Sequence, residues 1–364
     1  MTESRTYILA GGGTGGHLYP ALAIAEMIKR NQPDCDIHFI GTARGVETRV
    51  VPKQGYPLHL IAVRGVARNR FWMNVSVPFR LLCSLVQSRN LLKQLNPVIV
   101  IGTGGYVSGP ILYMAQAMNI PTLIQEQNSY PGITTRLLAK RADRVHLSFE
   151  SSLNWLKRHD NCRITGNPVR RPAELSKQQA RRAFGLHSDK LTVLIFGGSQ
   201  GAHAVNQAVL EIIDPLIADE IQLIWGTGEA DESMIRSSVS DKPVWLNAFI
   251  DDMPAAYRAA DLAVTRAGAM TLAELAVNQI PSLLIPYPYA AADHQLNNAK
   301  ALVEKGAAVV IEQKDLHSGL LLKNIKALLQ DDQKRAAMAQ RAGEMAFPDA
   351  AKDLYGSIQE VSKS

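Results

Sequence analysis

The sequence predicts an α/β protein made of two doubly wound Rossmann-like domains facing each other across a cleft. Three observations carry that expectation. Glycine-rich turns at Gly11-Gly12-Gly13-Thr14-Gly15-Gly16-His17 and Gly197-Gly198-Ser199-Gln200-Gly201-Ala202 each follow a short apolar run and open onto a helix-like stretch. Short β-branched runs alternate with longer amphipathic ones along both halves, the rhythm of parallel sheets with helices on both faces. The chain has 364 residues. That is too long for one ordinary core, and two domains of about 150–200 residues are expected.

Taken in order, the first strand falls at 7–10, where Tyr7-Ile8-Leu9-Ala10 is continuously apolar, and a helix follows at 20–30. Strands at 36–40, 58–62, 98–102, 121–125 and 144–147 alternate with helices at 78–95, 110–118 and 133–139. The second half repeats the pattern with strands at 191–196, 221–225, 243–246, 262–265, 282–286 and 307–311, and a helix opens near Val205. Right-handed crossovers make each half doubly wound, and such sheets bind ligands at the carboxyl ends of their strands. Two prolines in Gly166-Asn167-Pro168-Val169-Arg170-Arg171-Pro172 exclude a helix and stiffen the connection. The expected organisation is therefore 1–165, 166–346 and a terminal segment, 347–364, whose helix at 350–361 returns to the first domain.

Hydrophobic content of 46% and charged content of 20% describe a globular chain, not a disordered one. The polar start, Met1 to Arg5, leads into a strand far too short for a signal peptide. No apolar run approaches the roughly 18 residues a membrane span needs. Cys35, Cys83 and Cys162 are scattered in no ligand spacing, so neither a disulfide frame nor a zinc site is expected, and a reducing cytoplasm fits. The net charge of +6 is unevenly spread. Between Glu47 and Glu126 there is no acid, whereas Arg49, Lys53, Arg64, Arg68, Arg70, Arg80, Arg89 and Lys93 all lie there. That field attracts anions. Within it Arg68, Arg70 and Arg80 mix with Phe71, Trp72 and Phe79, which suits an anionic lipid surface at about 1 kcal/mol per basic residue. A core helix with a solvated basic edge is the plainer alternative. Nucleic acid is not expected, because no recognition motif is present.

The loops carry the chemistry. A strand, a glycine turn and a helix N-terminus make a phosphate-compatible cradle. Gly11, Gly13 and Gly16 also fit a dinucleotide fingerprint, but the second strand ends Phe39-Ile40-Gly41-Thr42 without the acid that would hold a ribose. A further cluster, Gly102 to Pro110, lies beside the first loop and, with Gly13, Gly104 and Gly105, could grip a diphosphate. In the second half Thr265 to Glu274 ends a strand and enters a helix. There Thr271 can donate to a phosphate, and Glu274 either accepts ribose hydroxyls or caps the helix. Gln295, in Asp293-His294-Gln295, can read sugar hydroxyls. For acid–base work His17 stands at a helix entrance that favours the neutral imidazole. Glu126 ends its strand at the same edge and is a rival.

These residues resemble the MurG-type N-acetylglucosaminyltransferases of bacterial peptidoglycan synthesis, within the GT-B superfamily. The likeness runs in order through Gly12 to His17, Gly104 to Pro110, Glu126-Gln127-Asn128, Gly166 to Arg170, Gly197 to Ala202, Phe249 to Met253, Arg266 to Glu274 and Asp293 to Gln295. The resemblance implies inverting transfer of GlcNAc from UDP-GlcNAc to the muramyl 4-hydroxyl of the undecaprenyl-diphosphate acceptor lipid I, giving lipid II and UDP. It maps donor contacts to Thr14, Gly15, Gly16, Asn128, Arg170, Ser199, Ile250, Ala269, Met270, Thr271, Leu272, Ala273, Glu274 and Gln295. It implies no cofactor and no metal, and leaves His17, Glu126 and Tyr106 as candidates for the base. It also implies a peripheral place on the cytoplasmic face of the inner membrane, and leaves room for cell-wall synthesis and division proteins as partners. A UDP-GlcNAc epimerase on the same fold and a membrane adaptor are the competing readings.

Overall fold

A computed structural model describes residues 5–63, 77–170, 172–198, 201–239, 242–290 and 293–362. The chain forms two compact units, Met1–Val169 with Phe347–Ser364, and Arg170–Ala346. The first holds strands β1 (Thr6–Gly11), β2 (Asp36–Gly41), β3 (Leu58–Leu60), β4 (Ile99–Gly104), β5 (Thr122–Glu126), β6 (Arg144–Leu147) and β7 (Cys162–Ile164). They run parallel in the order β3-β2-β1-β4-β5-β6-β7. The second unit holds β8 (Thr192–Phe196), β9 (Gln222–Gly226), β10 (Val244–Asn247), β11 (Leu262–Thr265), β12 (Ser282–Leu284) and β13 (Ala308–Val310). Its parallel order is β10-β9-β8-β11-β12-β13.

In both sheets the strand order reverses beside the first strand. Crossovers leave in opposite directions there, so a crevice opens between β1 and β4, and another between β8 and β11. The two glycine turns follow β1 and β8, which puts each at its sheet's switch point. Side chains alternate across the first sheet: Tyr7 and Leu9 join one core, Ile8 and Ala10 the other. Burial on both faces explains why these strands read as unbroken apolar runs. The terminal helix Ala350–Val361 seats Leu354, Ile358 and Val361 in the Tyr7–Leu9 core, so it belongs to the first unit.

Three sequence expectations change. The boundary lies after Val169, four residues beyond its expected place, because Asn167 is 4% exposed and bonded to Gln125, Gln127 and Ser148 of the first unit. Strand β7 carries no apolar run; instead Arg163 reaches Ser357 and Glu360 of the terminal helix. The first long helix, Gly15–Asn31, begins in the glycine turn itself rather than at 20. Glycine disfavours helix, but here Thr103 Oγ1 donates to the His17 carbonyl at 2.7 Å and pins the first turn.

Candidate active site

In the first unit β1 and β4 end side by side, with Gly11 paired to Gly104 across a register shift. Their loops approach so closely that side chains are excluded. A Cβ on Gly104 would stand 2.6 Å from His17 Nδ1, and one on Gly105 would stand 2.5 Å from the Gly12 carbonyl oxygen. Both glycines also have positive φ. Close approach, rather than phosphate contact alone, is what the glycines at 104 and 105 provide.

Beneath the first loop sits Glu47, 1% exposed, which the sequence reading passed over. Its carboxylate accepts from Gly13 N–H at 2.8 Å, from Thr42 N–H at 2.8 Å and from the Thr42 hydroxyl at 2.9 Å. A buried carboxylate needs such donors. The Gly13 N–H, expected to meet a diphosphate, is thereby committed to Glu47. The amides of Gly15 and Gly16, in the first helical turn after Thr14, have no acceptor within their helix and remain suited to an anion.

His17 lies half-buried between the two loops. Its Nδ1 is 3.1 Å from the Thr103 carbonyl oxygen and 3.0 Å from Gln127 Oε1. Both partners can only accept, so Nδ1 carries hydrogen and Nε2 is the nitrogen left to take a proton. Glu126 differs. It is 3% exposed and accepts from Asn128 N–H, Asn128 Nδ2, Gly132 N–H and the Thr135 hydroxyl, the last at 2.7 Å. Those four donors fill its lone pairs, which makes Glu126 the anchor of the Asn128–Gly132 loop rather than a free proton acceptor. Tyr106 is 54% exposed on the loop after β4.

The second unit builds its own half-site. The loop after β11 leads into the helix Ala269–Val277, which opens at the carboxyl end of that strand. Met270 and Leu272, expected among the donor contacts, turn their side chains inward and are buried. Thr271 and Glu274, one turn apart, are only partly buried, as is Ala273. Tyr257 donates its hydroxyl to Glu274 Oε2 at 2.8 Å. Burial pushes the Glu274 carboxyl up to about 7, against the opposing pull of the Tyr257 hydrogen bond and of the Arg170 charge. Gln295 opens the helix His294–Glu304 and accepts from Tyr287 N–H at 2.9 Å, which leaves its amide nitrogen as the donor. Ile250 leans over the end of β9, where Gly226 leaves it room.

Arg266 was not singled out from sequence for a role of its own. It is 8% exposed and braces this edge by donating to the carbonyls of Ile285 and Pro286 and to Gln313 Oε1. Ser199 and the membrane candidates Arg68, Arg70, Phe71 and Trp72 lie outside the described residues. Phe79 and Arg80 lie within them, on the exposed side of the helix Val77–Leu95. Among the described residues no three His, Cys, Asp or Glu cluster as metal ligands, and no helix is long and apolar enough to cross a membrane.

Comparison with known proteins now bears on these half-sites. Residues 7–147 match the glycosyltransferase family 28 N-terminal domain, and residues 192–354 match the family 28 C-terminal domain. A relative from Chlorobaculum parvum is 45% identical over 98% of this chain and 99% of its own length. Another, from Chlorobium luteolum, is 43% identical with coverage of 98% and 99%. The chain belongs to the MurG-type enzymes of glycosyltransferase family 28. Both relatives are named UDP-N-acetylglucosamine–N-acetylmuramyl-(pentapeptide) pyrophosphoryl-undecaprenol N-acetylglucosamine transferase. A crystal structure of Acinetobacter baumannii MurG is similar to it at 30% identity and a TM-score of 0.74, covering 98% of this chain and 99% of that one. Membership of this family makes the chain a glycosyltransferase and sets the epimerase and adaptor readings aside.

Proposed function

We propose that the enzyme moves N-acetylglucosamine from UDP-N-acetylglucosamine to the muramyl 4-hydroxyl of lipid I, with inversion, producing lipid II and UDP. The observation that carries this reading is His17, whose Nδ1 is tied to two acceptors while Nε2 stands ready for a proton at the switch point of the first sheet. His17 Nε2 takes the hydroxyl proton as the oxygen attacks the anomeric carbon and the bond to the diphosphate breaks. The electron pair leaves with UDP. Arg170 and the helix openings of the second unit offset the charge that develops there, so the transfer needs neither metal nor cofactor in this reading. Glu274 accepts from the ribose hydroxyls, Ile250 borders the uracil, and Gln295 reads the sugar.

A radiolabelled transfer assay with a lipid I analogue tests the proposal. It should yield the β-linked disaccharide with UDP-N-acetylglucosamine, little product with UDP-glucose, and an unchanged rate in EDTA. UDP release that is independent of the lipid acceptor would overturn it.

The acceptor is lipid-tethered, and we place the enzyme peripherally on the cytoplasmic membrane face. Phe79, Leu82 and Val86 are 71%, 61% and 54% exposed, and their spacing puts them along one side of the helix Val77–Leu95. Arg80 and Arg89 are exposed on the same helix. A Phe79→Ser, Arg80→Glu double variant should bind phosphatidylglycerol vesicles about 10-fold more weakly, with added salt mimicking part of the loss. Equal vesicle binding by the variant and the parent would remove this helix from the membrane contact.

A further inference from the structure

We infer that the buried side-chain amides of Asn167, Gln125 and Gln127 form a polarised relay that, together with the Thr103 carbonyl, fixes which nitrogen of His17 holds the proton. Gln127 is then a positioning residue for the base. The inference rests on the reading of His17 as that base and adds what sets its tautomer.

A side-chain amide has a donor end and an acceptor end, and only its surroundings decide which way it points. Here each link sets the next. Asn167 Nδ2 donates to the Gln127 carbonyl at 3.3 Å, so its Oδ1 faces the other way. That oxygen accepts from the Ser148 hydroxyl at 2.6 Å and from Gln125 Nε2 at 3.0 Å. Gln125 Oε1 is therefore turned toward Gln127 Nε2, which donates to it. The two hydrogens of that nitrogen are shared with the carbonyls of Thr103, at 2.7 Å, and Gln125, at 3.1 Å. Only Gln127 Oε1 is left to face His17 Nδ1.

Reversing Gln127 would set its oxygen 2.7 Å from the Thr103 carbonyl oxygen. Gln125, Gln127 and Asn167 are 0%, 2% and 4% exposed, so water cannot repair such a mismatch. The chain of amides thus runs from the Gly166-Asn167-Pro168 segment, at the end of the first unit, to the imidazole at its switch point. Neither end of that path is adjacent in sequence. Asn167 accordingly acts at a distance, through the sense of the amides between it and His17.

The test is the tautomer itself, read by nitrogen-15 NMR of histidine-labelled, full-length enzyme, with the His17 signal assigned by its loss in His17→Gln. The wild-type ring should carry its proton on Nδ1. In Gln127→Met only the Thr103 carbonyl is left to hold the Nδ1 proton, so an Nε2–H population should appear beside the Nδ1–H form, and kcat should fall about 3-fold while the donor KM stays within about twofold. Gln125→Met, which touches no atom of His17, should move both readouts in the same direction by less. A wild-type proton on Nε2 overturns the relay even if neither variant folds. So does a folded Gln127→Met with the parent's tautomer and kcat. Undiminished turnover in His17→Gln would instead overturn the base assignment and leave the tautomer measurement standing.

Discussion

A His17→Ala enzyme is expected to turn over about 10²–10⁴-fold more slowly, the usual contribution of a positioned general base. Donor KM should change by no more than about twofold, because the loss falls on proton transfer in the transition state and not on ground-state binding of the donor. The reasoning is geometric. An imidazole accepts a proton only through a nitrogen that does not already carry one, and the Thr103 carbonyl with Gln127 Oε1 commits Nδ1 to donation. Nε2 is the remaining acceptor. Glu126 makes a poor substitute because Asn128, Gly132 and Thr135 occupy its oxygens. If steady-state kinetics show turnover surviving in His17→Ala, the role passes to Tyr106, whose phenol is exposed on the neighbouring loop.

The second large effect concerns Glu274. Its removal as Glu274→Ala should raise the donor dissociation constant by about 10–100-fold, the loss expected for hydrogen bonds to a charged acceptor. Vesicle association, which belongs to the other unit, should not change. The carboxyl titrates at about 7, which gives the binding a pH dependence. Above that pH the group is a carboxylate and accepts both ribose hydroxyls; below it a proton occupies one acceptor position. Donor affinity should therefore rise with pH through about 7, and Glu274→Gln should flatten the profile. Folding stability runs the other way. The folded-state value lies above the ordinary 4.5, so this group's contribution is fully present below 4.5 and is lost as pH rises through about 7. Calorimetric titration with the nucleotide sugar at several pH values checks the sign, and flat binding across neutrality would remove Glu274 from the ribose.

Much of the fold was legible because its elements are local. The apolar runs at 7–10 and 191–196, each closed by a glycine turn, read as strands buried on both faces, and those turns lie at the switch points. What escaped was whatever depended on a distant partner. Strand β7 owes its place to its backbone pairing with β6. The helix that starts at Gly15 owes its first turn to Thr103. In the sequence Glu47 marks only the start of an acid-free stretch, and its burial depends on Gly13, 34 residues away, closing over it.

The sequence by itself determined the two parallel sheets, the placement of a glycine cradle at the head of each and the family to which the motifs belong. All of these follow from periodicity, turn chemistry and short-range spacing. Tertiary structure alone decided which groups in those motifs are free to act. It closed Glu126 with four donors, turned Leu272 into the core and oriented His17 through an amide on another strand's loop. The physical reason is that a polar group's availability is set by what lies within hydrogen-bond reach, and in a parallel sheet those neighbours come from segments tens of residues away.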